Sequence, residues 1–432
     1  MPLLPRPIPS EIIDTIIDEL HDDTVNLKAC SLVTRQFTPR SQYHLLKSIT
    51  LDFWNPRRKR RHHKAQPLLD ILSKSDRLAG CIRHLTLLNY SEGFLDIRTG
   101  EFNREDKVLP LLFKKLHKLH SFKLIIDEAT GSRSRGISVS LTSAVVAMIQ
   151  SNPVVELTLK NLVDFPMTFL ALHCPELKRL TFRGSIHGMD LVTEEVPAID
   201  HKGATNTKGY LRVLDIDCIS APHIDLLYKT SQLPQSKLSF AHLQELSLTG
   251  LHENTVELVS KVVTDAADTL EQFTWDDAGY ATPAPNFRSH SMSLAFPYNP
   301  TSLKFAFRHY HNQIPHHLHW LSSGLEKAIT STKRLKTLEI VFILDFPYDF
   351  STATLWDECD TWASAFDAFL AGPANPDLDN VTICIAYPDK GSYLPPRYRT
   401  EIVTLLGKKL PLLMTKEVLR LDLNCLEMMF GS

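Results

Sequence analysis

The chain has 432 residues, of which 43% are hydrophobic and 22% charged, and its net charge is -2. This composition excludes a disordered chain and is typical of a folded protein. The length allows two or three compact domains or one long repeat array. The near-neutral charge argues against a general affinity for nucleic acid or anionic membranes, and neither is expected as a partner.

Cysteine usage and hydropathy predict the compartment. The seven cysteines are widely spaced and include no Cys-x-x-Cys pair. This pattern argues against a disulfide framework or a structural zinc site and indicates a reducing compartment. No apolar run reaches the roughly 18 residues that a membrane span needs. The start of the chain is too short and too rich in proline for a secretory signal. We therefore expect a cytoplasmic or nuclear protein.

The first predicted element is a helix that begins near residue 10. Ser10 is expected to cap it, and Glu11 and Asp14 supply the negative charge that a first turn favours. Apolar residues then recur at helical spacing and predict one wide apolar face. These residues are Ile12, Ile13, Ile16, Ile17 and Leu20.

Two further helices are predicted before residue 50. The second covers about residues 27–37 and ends near Pro39, and a short third helix starts at Tyr43. Three helices of this size enclose a very small core, so some apolar side chains should pack on a partner or on the rest of the chain. From the residues alone, the module is either a docking surface or a helical cap that shields the first repeat.

The module resembles an F-box. The F-box pattern opens with Leu-Pro-x-Glu-Ile, and this chain has Ile8-Pro9-Ser10-Glu11-Ile12. Its second helix has the pattern Leu-x-x-Cys-x-x-Val-x-Arg-x-Phe, which residues 27–37 match closely. Residues 39–51 look like the large fungal group of these proteins. The resemblance covers about residues 5–51, and the predicted F-box domain spans residues 5–50.

The resemblance implies a partner and a binding surface. F-boxes of the family bind the Skp adaptor of a Skp–cullin–F-box ubiquitin ligase. Here Ile8 stands in place of the common leucine and Phe37 in place of the common tryptophan, both apolar replacements. The positions that match the family's docking surface are Ile8, Pro9, Ile12, Ile16, Leu20, Leu32, Val33 and Phe37.

Residues 51–80 are predicted to hold a basic loop and the connection into the first repeat. Residues 57–64 have the sequence Arg-Arg-Lys-Arg-Arg-His-His-Lys. Three interpretations stay open for this run: a solvated loop, a nuclear-import signal, or a patch that binds phosphate or an acidic partner.

A repeated Leu-x-x-Leu-x-Leu pattern, with apolar replacements, occurs twelve times, with consecutive starts 23 to 43 residues apart. Each occurrence predicts a short strand with one buried face. The alternating pairs are Ile49/Leu51, Leu85/Leu87, Phe122/Leu124, Leu157/Leu159, Leu180/Phe182, Leu214/Ile216, Leu246/Leu248, Phe273/Trp275, Phe305/Phe307, Leu338/Ile340, Val381/Ile383 and Leu421/Leu423.

Helices are predicted between many of these strands. The segments are residues 140–150, 253–269, 323–332, 357–370 and 399–410. The first is predicted to place Leu141, Val145, Met148 and Ile149 on one side, and the second to have an apolar stripe of Val256, Val259, Val263 and Ala267. Strand–helix units cannot bury their apolar faces alone, so stacking them gives one continuous core. The array over residues 81–432 resembles leucine-rich repeats of a long, irregular kind, and most spacings exceed the usual roughly 20–29 residues. The resemblance implies an α/β solenoid with a curved parallel sheet. An ordinary α/β domain is the alternative.

The predicted function is substrate recognition. The F-box would bind the Skp adaptor, and through it a cullin, while the repeat array binds a client protein. The alternative is a scaffold that uses the F-box for adaptor binding only. No enzyme, cofactor or metal site is expected: the histidines between residues 309 and 319, the acidic residues near 357–360 and Cys30 are weak candidates for such chemistry.

Overall fold

Helices and parallel strands alternate along the described part of the chain. The computed structural model describes residues 8–55, 60–61, 65–90, 105–126, 139–162, 165–184, 208–250, 253–276, 300–309, 335–344, 360–373, 375–386 and 396–422. The chain divides into two compact units. Unit 1 is Met1–Gly209 with Pro234–Leu238, and unit 2 is Tyr210–Leu233 with Ser239–Ser432. The predicted α/β class is confirmed. The predicted domain limits 5–50, 51–80 and 81–432 stay predictions.

The described helices are α1 (Ser10–Asp18), α2 (Thr24–Val33), α3 (Thr38–Lys47), α4 (Ala65–Ser73), α5 (Asp76–Ala79), α6 (Glu105–Phe113), α7 (Val139–Gln150), α8 (Met167–His173), α9 (Ala221–Ser231), α10 (Glu253–Asp265), α11 (Asp360–Ala371), α12 (Pro396–Lys409) and α13 (Pro411–Thr415).

The described strands are β1 (Ser48–Asp52), β2 (Trp54–Asn55), β3 (Arg60–Arg61), β4 (His84–Tyr90), β5 (Ser121–Ile126), β6 (Glu156–Leu162), β7 (Arg179–Gly184), β8 (Gly209–Tyr210), β9 (Val213–Asp217), β10 (Leu238–Ser239), β11 (Glu245–Thr249), β12 (Gln272–Asp276), β13 (Ser302–His309), β14 (Thr337–Leu344), β15 (Asn380–Ala386) and β16 (Leu419–Asp422).

In unit 1 the long strands pair in parallel in the order β1, β4, β5, β6, β7. The register aligns the predicted apolar pairs: Leu85 lies opposite Phe122, and Phe122 lies opposite Leu157. Every second side chain therefore points to one face, which is the geometry that a period of two produces. Leu85, Phe122 and Leu157 are fully buried in this face.

In unit 2 the order is β9, β11, β12, β13, β14, β15, β16, and every described pairing is parallel. Leu214 lies opposite Leu246, and Leu246 lies opposite Phe273. These three side chains are also fully buried. Within each unit, long strands that follow one another along the chain are neighbours in the sheet.

A recurring backbone contact links successive strands within each unit. The carbonyl of Arg83, just before β4, accepts hydrogen bonds from the amides of His120 and Ser121 at 2.8 and 3.0 Å. In the other repeats the equivalent carbonyl also accepts hydrogen bonds from two consecutive amides. These carbonyls belong to His120, Val155, Arg212, Gln244, Glu271, Thr301 and Lys336. The repeat found in the sequence is therefore also a repeat of hydrogen bonding.

Three repeats share a left-handed residue two positions after the second buried side chain of the strand. Asn89, Asn161 and Gly250 have φ values of 54°, 62° and 80°. Asparagine and glycine are the residues that tolerate this conformation best. The Asn161 side-chain amide donates to the carbonyl of Ile126 in the preceding strand at 2.9 Å, and Asn89 donates to the Asp52 carboxylate at 2.9 Å. These contacts tie adjacent repeats together.

The helices between the strands match the sequence-based expectations well where the structure describes them. The helix predicted at 140–150 is α7, and it buries the predicted side chains Leu141, Val145, Met148 and Ile149. The helix predicted at 399–410 is α12. The segments 323–332 and 357–359 lie outside the described residues.

The helix predicted at 253–269 is α10, but it ends at Asp265. Ala267 was expected in its apolar stripe, and this is wrong, because the residue lies beyond the end of the helix. Ala266 is the buried side chain there. Small and apolar residues continue beyond Asp265, so the sequence pattern could not predict where α10 ends.

Two strand registers were also predicted wrongly. Leu303 and Phe305, rather than Phe305 and Phe307, align with the neighbouring repeats in β13. In β16 the aligned pair is Leu419 and Leu421. Both errors are shifts of two residues, which keep the same side chains on the same face of the sheet. Alternation alone therefore could not distinguish the two registers.

Candidate docking surface

The three amino-terminal helices enclose a small core. Ile13 and Ile17, one turn apart on α1, are buried together with Leu27 of α2. Half-buried apolar side chains pack around this cluster. They are Leu20, Phe37 and Leu45. The core therefore uses one stripe of α1 only, and the single wide apolar face predicted for this helix is in fact two stripes.

The second stripe of α1 faces outward. Ile8, Ile12 and Ile16 are 58%, 51% and 56% exposed. On α2, Leu32 and Val33 are 86% and 64% exposed. Large apolar side chains lose favourable burial at such positions, roughly 1.5–3 kcal/mol each relative to full burial. A concentration of them on a module of about 40 residues indicates a surface made for contact.

Asp18 fixes α1 against α3. Its carboxylate accepts a hydrogen bond from Arg40 Nη2 at 2.6 Å, and His44 Nε2 lies 2.7 Å from its other oxygen. The Arg40 guanidinium and the His44 ring lower the pKa of Asp18 from 3.8 to about 2. These contacts join the carboxyl end of α1 to α3 and so hold the outward stripe of α1 in place.

Asp23 caps α2. Its Oδ1 accepts hydrogen bonds from the amides of Val25 and Asn26 at 3.1 and 3.0 Å, two of the groups that a helix start leaves without partners. The hydrogen bond from the Asn26 amide is the main cause that lowers the pKa of Asp23. The cap sets where α2 begins, and ten residues later the helix ends on Leu32 and Val33.

Two predictions about helix ends were wrong. Pro9, not Ser10, occupies the cap of α1, and no side chain caps that helix; Ser10 already lies in its first turn. Pro39 does not end α2. It lies in the first turn of α3, where a missing amide hydrogen costs little. Extended backbone at Thr34, with φ -147° and ψ 159°, ends α2 instead.

The structure separates the eight predicted adaptor-binding residues into two groups. Six are exposed: Ile8, Pro9, Ile12, Ile16, Leu32 and Val33. Leu20 and Phe37 are half-buried against the module's own core. Val25 is 75% exposed and was not among the eight. It lies two residues after the Asp23 cap, so the capping pattern was the signal that could have placed it in the first turn of α2.

The structure describes only some of the weak candidates for metal or thiol chemistry. Within the described ranges, no three histidine, cysteine or acidic side chains group where they could hold a metal ion. Cys30 is half-buried and carries no disulfide, and burial raises the pKa of the Cys174 thiol to about 12. Most of the 309–319 histidine cluster, residues 357–359 and most of the basic run 57–64 lie outside the described residues.

No helix among the described residues is long and apolar enough to cross a lipid bilayer. No protein-family model and no curated protein matches the chain.

Proposed function

We propose that the chain is the substrate-recognition subunit of a Skp–cullin–F-box ubiquitin ligase. The amino-terminal helices act as the F-box and dock on the Skp adaptor, and the strands that follow present a client protein. Catalysis takes place elsewhere in the complex. The chain contributes proximity, because it raises the local concentration of a bound client near the conjugating enzyme.

The outward apolar side chains of the amino-terminal module carry this proposal. Side chains picked from the sequence as adaptor contacts, Ile12, Ile16, Leu32 and Val33, are more than half exposed. The same helices bury Ile13 in a core of their own. The exposed apolar residues therefore do not belong to the fold of the module, and a partner is the simplest way to bury them.

The repeat pattern supports the second half of the proposal, a leucine-rich-repeat-like solenoid built on a parallel sheet. In each unit, strands pair in parallel in chain order and share the backbone contact that recurs at Arg83 and its equivalents. The left-handed positions at Asn89, Asn161 and Gly250 also recur at one point of the repeat. Stacked repeats of this kind offer one long surface for a client.

The test is co-purification with the Skp adaptor. Leu32→Asp and Val33→Asp place charges on the outward surface without touching the buried cluster. Because burying an unpaired charge at an interface costs at least about 2 kcal/mol, we expect the affinity to fall about 30-fold or more. The matched control is Val139→Asp at the start of α7, where the same valine-to-aspartate change alters an 84% exposed side chain.

Retained adaptor binding in Leu32→Asp and Val33→Asp would contradict the docking proposal. The composition of the purified complex distinguishes a ligase subunit from a scaffold protein. Cullin that co-purifies with the chain and the adaptor supports the ligase subunit. Adaptor binding without cullin would support the alternative, a scaffold that uses the F-box for adaptor binding only.

A further inference from the structure

The amino-terminal edge of the unit 1 sheet carries a concentration of positive charge. In β1 and β4–β7, an edge residue comes just before the first residue of each strand, and the first and third residues alternate with the buried apolar pair; among these positions Ser121 alone is buried. Lysine and arginine occupy five of these positions: Lys47, Arg83, Lys123, Lys178 and Arg179. These five residues form the basic strip. Glu156 is the one acidic residue at the same positions of β1 and β4–β7.

The register brings these charges together although the sequence separates them. The amide of Arg83 donates to the carbonyl of Lys47 at 2.9 Å, and the amide of Lys178 donates to Val155 at 2.8 Å. Five adjacent strands at the usual spacing span about 19 Å. That is the length of about six residues of extended chain.

The charges are close enough to influence one another. Burial lowers the pKa of His84, and the positive charges of Lys47 and Lys123 lower it further, against the opposing effect of Glu156. The Glu156 carboxylate forms an ion pair with Arg179, with 3.9 Å between Oε1 and Nε, and so offsets part of the charge of one of the five residues. A chain with a net charge of -2 thus carries a local surface of opposite sign.

We infer that the basic strip binds an acidic segment of the client protein, an inference that rests on the proposed function and names the chemical class of its client. Carboxylates of an extended segment lie against the lysine and arginine side chains. Hydroxyl groups at the intervening outward positions, such as Thr50, Thr86 and Thr158, hydrogen-bond to the segment. Complementary charge of this kind gives specificity and speeds encounter.

The side chains of the strip favour a peptide over single-stranded nucleic acid. Proteins that bind single strands without sequence preference add aromatic side chains on which the bases stack. The described outward first and third positions of β1 and β4–β7 hold serine, threonine, histidine, lysine, arginine and glutamate, without an aromatic ring of the Phe, Tyr or Trp type.

The test is fluorescence anisotropy with the full chain and a labelled twelve-residue peptide of alternating glutamate and serine. Lys123→Glu combined with Arg179→Glu reverses two exposed charges of the strip. We expect the dissociation constant to rise at least about tenfold, since each reversal replaces an attraction with a repulsion. The matched control, Lys336→Glu with Arg420→Glu, reverses one lysine and one arginine at equivalent exposed positions of unit 2 and should leave binding unchanged.

Three results would overturn the inference: no binding of the acidic peptide, equal weakening in both double variants, or tighter binding of a single-stranded RNA of the same charge through the same residues. Adaptor binding is measured on the same preparations. If Lys123→Glu with Arg179→Glu loses the peptide but keeps the Skp adaptor, both proposals stand. If the wild-type chain binds the peptide but not the Skp adaptor, the proposed function is contradicted, whereas acidic-peptide binding by the basic strip still stands.

Discussion

The amino-terminal helices and the parallel strands place their apolar side chains in opposite ways. In the strands the alternating apolar residues are buried, as Phe122 and Leu246 show. In α1 the isoleucines divide: Ile13 and Ile17 are buried, whereas Ile12 and Ile16 are mostly exposed. The strands bury their apolar side chains in the fold, whereas α1 leaves half of these isoleucines facing outward. The proposed docking on a partner accounts for this difference.

The largest expected effect comes from the two stripes of α1. Ile17→Ala removes a fully buried side chain, so the free energy of unfolding of the module should fall by about 2–5 kcal/mol. Ile16→Ala, the same change at the preceding residue, should change the free energy of unfolding by no more than about 0.5 kcal/mol. Native-state hydrogen exchange of the α1–α3 amides measures both. Equal losses in the two variants would show that the outward stripe belongs to the core.

A smaller effect is expected from the pairing of Asp18 with Arg40 and His44. The pKa of Asp18 is about 2 in the folded chain against 3.8 ordinarily. The pairing therefore stabilises the module fully above pH 3.8, and this contribution is lost as the pH falls through about 2. Because the side chain is 39% exposed, the contribution should be below about 1 kcal/mol.

Acid titration of the module checks the Asp18 prediction. Asp18→Asn should flatten the decrease in stability between about pH 4 and pH 2. Asp22→Asn, which changes a neighbouring carboxylate that is 91% exposed, is the control and should leave the curve as it is. A curve that Asp18→Asn does not alter would mean that these contacts do not hold α1 against α3.

The charge of the long strands differs between the two units as well. In unit 1, five basic residues and one acidic residue occupy the edge positions and the first and third positions of strands β1 and β4–β7. At the same positions of unit 2, acidic residues are in excess. With β16 aligned by its register with β15, the acidic ones are Asp215, Glu245, Glu271, Glu339, Asp379 and Glu417, against Arg212, Lys304, Lys336 and Arg420. Lys304 is paired with Glu339 at 2.9 Å. The two surfaces therefore suit different ligands, and only the first attracts an acidic one.

The sequence predicted the buried apolar pairs of the strands, but it did not predict the basic strip. An apolar pair such as Leu157 and Leu159 is visible locally, because both residues lie in one strand. The basic strip is not, because Lys47 and Arg179 are 132 positions apart in the numbering and meet one sheet edge only through the register. Alternation also leaves a strand free to shift by two residues, as it did at Phe305.

The same limit applies to the amino-terminal module. Helical spacing alone could not tell which isoleucines of α1 face inward, because Ile12, Ile13, Ile16 and Ile17 all fit one broad face. The packing partner Leu27 decides it, and that contact depends on the path between α1 and α2. The resemblance to an F-box selected most of the outward residues, since it carries information about a partner that a single chain does not show.

Hydrogen–deuterium exchange of the full chain with and without the Skp adaptor tests the central claim most directly. We predict that adaptor binding slows amide exchange in α1 and α2, the helices that carry Ile12, Ile16 and Leu32, and leaves the amides of β4–β7 unchanged. Unchanged exchange in α1 and α2 at saturating adaptor, or protection confined to the strands, would contradict the account.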